Sequence, residues 1–198
     1  MIATIVLGMK CQNIEVQGEL IGVDRGAYYC ALEKQTMKMA FGDFDSLSEK
    51  EFQEVKKYAL EVVHIDSVKL ETDSEAIIKL LVSLGYTHFN VYGALGGRAD
   101  HSWINIWLAR LYPNLTLFDD YNKVYCLSQG EHQIIKSDYP YFSLFALEEC
   151  ELELRGVKYP ISKRKLNARD LYTSSNEIID VAVLKIHQGN VLIMETKD

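Results

Sequence analysis

Proline is scarce in this chain, 3 residues in 198, and cysteine numbers only 4. The cysteines, Cys11, Cys30, Cys126 and Cys150, are scattered, with no CxxC and no Cys/His cluster. That excludes a zinc site or disulfide framework and fits a reducing compartment. Basic residues are also short: 21 Lys and Arg against 28 Asp and Glu leave a formal net charge of −7. Broad phosphate-backbone binding needs clustered Lys and Arg, so a nucleic-acid partner is not expected. A small anion carried in with a cation remains compatible with that charge. No segment approaches the ~20 apolar residues of a membrane span. The opening "MIATIVLGMK" has no basic lead-in and no small-residue cleavage site, so it reads as a first strand and not as a signal peptide. Neither GxxxxGK[ST] nor GxGxxG occurs, which removes the P-loop and the dinucleotide fingerprint. A cytoplasmic protein is expected.

What is present is an ordinary globular composition, 48% hydrophobic and 25% charged. Over the first 120 residues or so, short apolar runs alternate with helical patterns. Strands are expected at 2–8, 19–24, 37–43, 61–66 and 88–95. A helix over 46–60 opens with a capping box, Ser46 at N-cap and Glu49 at N3. A second starts at Thr72 with Glu75 in the same relation; Ile77, Leu80, Leu81 and Leu84 fall on one face, and Gly85 stops it. A third, "ADHSWINIWLARLYP", is apolar over a wide arc and expected to be well buried, with Trp103 and Trp107 in the core. This alternation implies an α/β domain with a mostly parallel sheet covered on both faces. After about residue 115 only strand-like runs follow, with hairpin turns expected at "QGE" (129–131) and "HQGN" (187–190). The expected organisation is an α/β domain at 1–118 and an antiparallel all-β sandwich at 119–198.

The acidic residues gather at strand ends. Asp24 ends the second strand, Asp43 and Asp45 follow the third in "GDFDS", Asp73 opens the helix after the fourth, and Asp100 follows the fifth. All lie at carboxyl ends, the edge where open α/β sheets bind ligands. Crowded carboxylates repel unless cations intervene, and Mg²⁺ takes oxygen ligands while leaving positions for phosphates. In an extended stretch Asp43 and Asp45 point the same way, with Phe44 on the other face. Gly96 and Gly97 let backbone N–H groups approach an anion, and Arg98 offers a fork of donors. Each feature alone also suits a turn or a helix cap. Their coincidence on one edge points to a Mg-dependent nucleotide site.

Five motifs, in order, resemble the thiamine pyrophosphokinase (thiamine diphosphokinase) family: "GVDRGA" (22–27), "GDFDS" (42–46), "KLETDSE" (69–75), "GGRADHSWIN" (96–105) and "SSNE" (174–177). The resemblance spans nearly the whole chain, and GDFDS with GGRADH is its specific part. It implies transfer of a diphosphoryl group from ATP to the hydroxyl of thiamine, giving thiamine diphosphate and AMP, with Mg²⁺. It implies a homodimer with thiamine near the subunit interface. Carried over by position, Asp43, Asp45, Asp73 and Asp100 bind the metal, and Asp73 and Asp100 contact the attacking hydroxyl. Arg98 grips the phosphates, Asp24, Lys69, Thr72, Gly96, Gly97 and Asn105 serve the nucleotide, and Ser175, Asn176 and Tyr172 face thiamine. The chain departs from the family pattern at Arg25, where Gly is usual, at Leu70, where an Asp is usual, and at Ser174, where a Thr is usual. Two alternatives stay open on the residues: a Mg-dependent kinase of another small alcohol, and a non-catalytic thiamine or nucleotide sensor.

Overall fold

The structure is a computed structural model describing residues 1–66 and 70–198. Lys69, expected on the nucleotide side, lies outside the described residues. The chain divides into two compact units, residues 1–108 with 114–120, and residues 109–113 with 121–198.

The first unit alternates strand and helix: β1 (Ile2–Val6), β2 (Glu19–Val23), α1 (Arg25–Leu32), β3 (Met39–Gly42), α2 (Glu49–Tyr58), β4 (Val62–His64), α3 (Asp73–Ser83), β5 (His88–Tyr92), α4 (Ala99–Leu111) and β6 (Leu115–Phe118). Its strands run in the order β6-β5-β1-β2-β3-β4, every pairing parallel. Ala3, Ile5, Ile21 and Ala40 on the central strands are wholly buried, as sheets covered on both faces require. From β1 the chain steps toward β4 on one side, then returns to β5 on the other. This reversal leaves a crevice at the carboxyl end of β1, the switch point where such sheets hold ligands.

Four local expectations fail for identifiable reasons. Helix α1 was not expected; it buries Gly26, Ala27, Cys30 and Ala31, residues too small to make an apolar stripe. Helix α2 begins two residues later than expected, with Ser48 and Glu51 forming the capping box. Leu47 N–H donates to the Phe44 carbonyl, so Ser46 belongs to the preceding turn. Helix α3 keeps Thr72 as its cap, but it buries Ser74, Ile77, Ile78 and Leu81 and leaves Leu84 half exposed. In α4, Trp103 and Trp107 are 59% and 38% exposed, stacked on each other 5.9 Å apart, while Asn105 and Leu108 are buried. The Asn105 amide donates to the Ala94 carbonyl at 2.7 Å, and two residues of helix turn the tryptophans to the opposite side.

The second unit is antiparallel: β7 (Asn122–Ile135), β8 (Tyr141–Ala146), β9 (Cys150–Val157), β10 (Ile161–Leu166), a 3₁₀ turn (Leu171–Thr173) and β11 (Ile178–Thr196). Neither expected hairpin forms. β7 runs straight through 129–131 and β11 through 187–190, paired with each other along both halves, with a register shift between Ile186 and Asn190. β11 takes β9 as its other neighbour before that shift and β8 after it. The sheet thereby folds over a core that includes Phe142, Leu144, Leu152, Leu154, Leu184 and Ile193, giving the sandwich. β10 was not expected, because "ISKRKL" leaves four consecutive residues exposed and shows no alternation.

Candidate functional site

Asp24 sits between β2 and α1 with a positive φ of 47°, and its Oδ1 accepts the Phe44 N–H at 3.1 Å. That bond brings the turn after β3 up to the turn after β2. Gly42 makes the approach possible: a Cβ there would lie 1.9 Å from Asp24 Oδ1. Burial pushes the Asp24 carboxyl up to about 7. The Phe44 N–H opposes this, while the charges of Asp73 and Asp43 and a hydrogen bond with Asp73 add to it. A proton shared between two carboxylates is what a bound cation would displace.

"GDFD" is not extended. Phe44 is left-handed, φ 57°, and Asp45 N–H donates to Asp43 Oδ1 at 3.1 Å. The two aspartates are thus joined through an Asx turn and not aligned by a strand's pleat. Phe44 does face away: it is buried, 4.8 Å from the Phe52 ring and 5.1 Å from the His64 ring. That packing holds the strained residue in place.

On the far side of the crevice, Gly96 and Gly97 both take positive φ, 90° and 64°, in the turn before α4. Arg98 forks onto Asp100 at 3.1 and 2.6 Å. This exposed pair holds the Asp100 carboxyl down to about 2, with the Arg98 hydrogen bond as the main cause. A guanidinium has five N–H donors, and two serve Asp100, so others remain for an anion.

A cavity of 340 Å³ opens at this rim. Asp24, Thr72, Asp73, Gly96, Arg98 and Asn105 line it, six of the residues expected there. Asp43, Asp45, Gly97 and Asp100 do not line it, although Asp43 is close enough to act on Asp24. Met9, Arg25, Ser46, Ser74 and His101 also line it, and sequence reasoning had assigned none of them a ligand. Arg25, Ser46, Ser74 and His101 lay within quoted motifs; Met9 carried no signal at all. Among the described residues no three His, Cys, Asp or Glu side chains converge closely enough to hold a cation alone. The donor set still fits Mg²⁺, an oxygen-seeking ion that usually takes one or two carboxylates and completes its shell with phosphate oxygens and water.

The second unit has its own cavity, 630 Å³, lined in part by Tyr159, Lys163, Arg164, Tyr172, Ser174 and Asn176. Tyr172 is 57% exposed and its hydroxyl is 3.1 Å from Arg164 Nη1. Asn176 is buried: its amide donates to the Tyr159 carbonyl at 2.8 Å and its oxygen accepts the N–H groups of Tyr159 and Glu177. Ser175 is exposed, left-handed at φ 55°, and is not among the lining residues.

Comparison with known proteins bears directly on these two sites. The model of the thiamin pyrophosphokinase catalytic domain matches residues 13–117, and that of the thiamin pyrophosphokinase vitamin B1 binding domain matches residues 131–191. A thiamine pyrophosphokinase of Bacillus subtilis is 30% identical over 166 residues, 80% of this chain and 78% of that protein. The crystal structure of thiamine pyrophosphokinase from Bacillus subtilis matches with a TM-score of 0.90 at 26% identity, covering 100% of both chains. That of a thiamin pyrophosphokinase family protein from Enterococcus faecalis matches at 0.89 and 26%, covering 100% of this chain and 99% of the other. The carboxylates and Arg98 that line the crevice fall within the first matched segment and the 630 Å³ cavity within the second, and the chain belongs to the thiamin pyrophosphokinase family.

Proposed function

We propose that the chain transfers a diphosphoryl group from ATP to the primary hydroxyl of thiamine, releasing thiamine diphosphate and AMP, and that residues 1–118 hold the nucleotide while residues 119–198 hold thiamine. Membership of the family supports the reaction type. The observation that carries the placement is the Asp24–Asp73 carboxyl pair facing Arg98 across one cavity at the sheet's switch point.

Phosphoryl transfer needs little covalent help from a protein, and its main requirements are alignment and neutralised charge. Asp43, Asp45, Asp73 and Asp100 would serve Mg²⁺, one or two of them as direct ligands and phosphate oxygens and water as the rest, and the ion would draw negative charge from the phosphate oxygens. Arg98, steadied by Asp100, donates to the polyphosphate. The N–H groups of Gly96 and Gly97 and the start of α4 favour the same anion. Asp24, Thr72 and Asn105 shape the nucleotide side, with Asn105 acting through the Ala94 carbonyl it fixes. Asp73 and Asp100 orient the attacking hydroxyl toward the β-phosphorus, where in-line placement lowers the barrier. Tyr172, Ser175 and Asn176 serve thiamine, Asn176 mainly by holding the Tyr159 backbone.

A homodimer with the site near the subunit interface belongs to this reading, and sedimentation should give twice the 22.6 kDa chain mass. The four free cysteines suit a cytoplasmic location. Among the described residues no helix is long and apolar enough to cross a membrane. The deciding experiment incubates the protein with ATP, Mg²⁺ and thiamine and resolves the nucleotides by chromatography. AMP and thiamine diphosphate in equal amounts are expected. ADP with thiamine monophosphate would overturn the diphosphoryl transfer, and turnover of another alcohol in preference to thiamine would overturn the substrate.

A further inference from the structure

Arg25 follows Asp24 directly, opens α1 and lines the same cavity, yet neither the metal nor the phosphate contacts above use it. Its guanidinium reaches the segment between β3 and α2 with one arm and the first turn of α2 with the other. Nη2 donates to the Ser46 carbonyl, and Nη1 donates to Glu51 Oε1 at 3.2 Å. The second oxygen of Glu51 accepts the Ser48 N–H at 2.7 Å and the Ser48 hydroxyl at 2.8 Å. Upstream in the same segment, Phe44 N–H is held by Asp24 and Asp45 N–H by Asp43.

Side chains therefore hold backbone groups at positions 44, 45, 46 and 48. Two of those side chains, Asp24 and Arg25, are neighbours at the start of α1, as its N-cap and first residue. The segment contains no helix or strand of its own, and ordering each freely moving residue opposes folding through lost conformational entropy. Carboxylates meant for one cation must be kept at a fixed separation, which an unrestrained loop does not provide. A lysine cannot replace this link, because a single ammonium on a flexible stem does not span two acceptors in one plane.

We infer that Arg25 is a positioning residue: it ties residues 43–48, and with them Asp43 and Asp45, to the first turn of α1, and does not itself grip phosphate. The inference rests on the proposed role of Asp43 and Asp45 as cation ligands. Substitutions Arg25→Ala, Arg25→Lys and Glu51→Gln test it, with thermal melting as the check on folding.

The first readout is amide hydrogen exchange over residues 44–48 in protein free of metal and nucleotide. Exchange should quicken about tenfold in Arg25→Ala and Arg25→Lys alike, and less in Glu51→Gln, which still offers an acceptor to Ser48. The second is the Mg²⁺ concentration giving half-maximal rate. It should rise several-fold in both Arg25 variants, with kcat recovering toward wild type at saturating Mg²⁺ and the KM for ATP little changed. Unchanged exchange in Arg25→Ala would overturn the tether. Faster exchange with an unaltered Mg²⁺ requirement would reduce Arg25 to a structural part and overturn the positioning role. A raised KM for ATP in Arg25→Ala, restored by Arg25→Lys, would make it a phosphate contact instead. A wild type inert toward thiamine would overturn the proposed function, while the exchange comparison would still decide the tether.

Discussion

Asp24 is the residue where the folding and the chemistry of this chain oppose each other. Its folded pKa of about 7 lies above the ordinary 3.8, so between those values the folded protein holds a proton that the unfolded chain releases. The stability contributed by Asp24 is therefore complete below about pH 4 and lost as the pH rises to 7. Asp24→Asn keeps an oxygen for the Phe44 N–H but cannot ionise. In metal-free protein, urea titrations should show the variant gaining on wild type as pH climbs from 4 to 8. The gain should be about 1–2 kcal/mol, allowing for solvent screening at a partly exposed group. Parallel stability curves would sink the idea. Asp45 makes the complementary case. Asp45 is exposed and its structural bond runs through its backbone N–H, which Asn retains. Asp45→Asn should melt like wild type yet lose about a hundredfold in rate, the scale of a missing charge partner in the transition state. Near-normal turnover would make the Asx turn its whole purpose.

At the scale of elements, the chain was legible where its physics is local and periodic. Apolar runs gave five of the six strands of the first unit at nearly the right places, and Thr72 capped α3 as its spacing with Glu75 implied. What escaped depended on partners distant in sequence. α1 carries only small buried residues, because larger ones would hold it off the sheet, so no stripe marked it. "SLSE" and "SEKE" both have capping-box spacing, and only the left-handed Phe44 makes the second the real one. Of the candidate site, the acids, the glycines and Arg98 were readable as types in a pattern. The tethering of residues 44–48 by Arg25 and Glu51 was not, since Arg25 meets partners 21 and 26 residues away in the chain. β11 offers an element-scale test. Its Glu195 is 1% exposed and is held by Lys123 at 2.7 Å, Tyr125 at 2.9 Å and Ser137 at 2.7 Å. Glu195→Ala leaves the half-buried Lys123 of β7, Tyr125 and Ser137 without their shared acceptor and should cost about 2 kcal/mol in chemical denaturation. Since none of these groups lines either cavity, the KM for ATP should stay put.

Across the whole molecule, the two units are built on different kinds of contact. The first joins strands through helical crossovers of modest length, whereas the second depends on β11 to hold β7, β8 and β9 in one sheet. Ending the chain after Gln188 would strip β8 of its partner and β7 of half its ladder. Such a protein should lose the cooperative melt of the second unit and bind no thiamine by calorimetry. Its first unit should keep its helical circular dichroism. A truncated chain that still bound thiamine would show that the sandwich closes without its longest strand. The same feature sets an order of events at the ribosome. The first unit can assemble while translation continues, but the sandwich must wait, its apolar interior open, until β11 emerges. A chaperone that shelters nascent chains would therefore find its substrate in residues 121–177, and only during that interval.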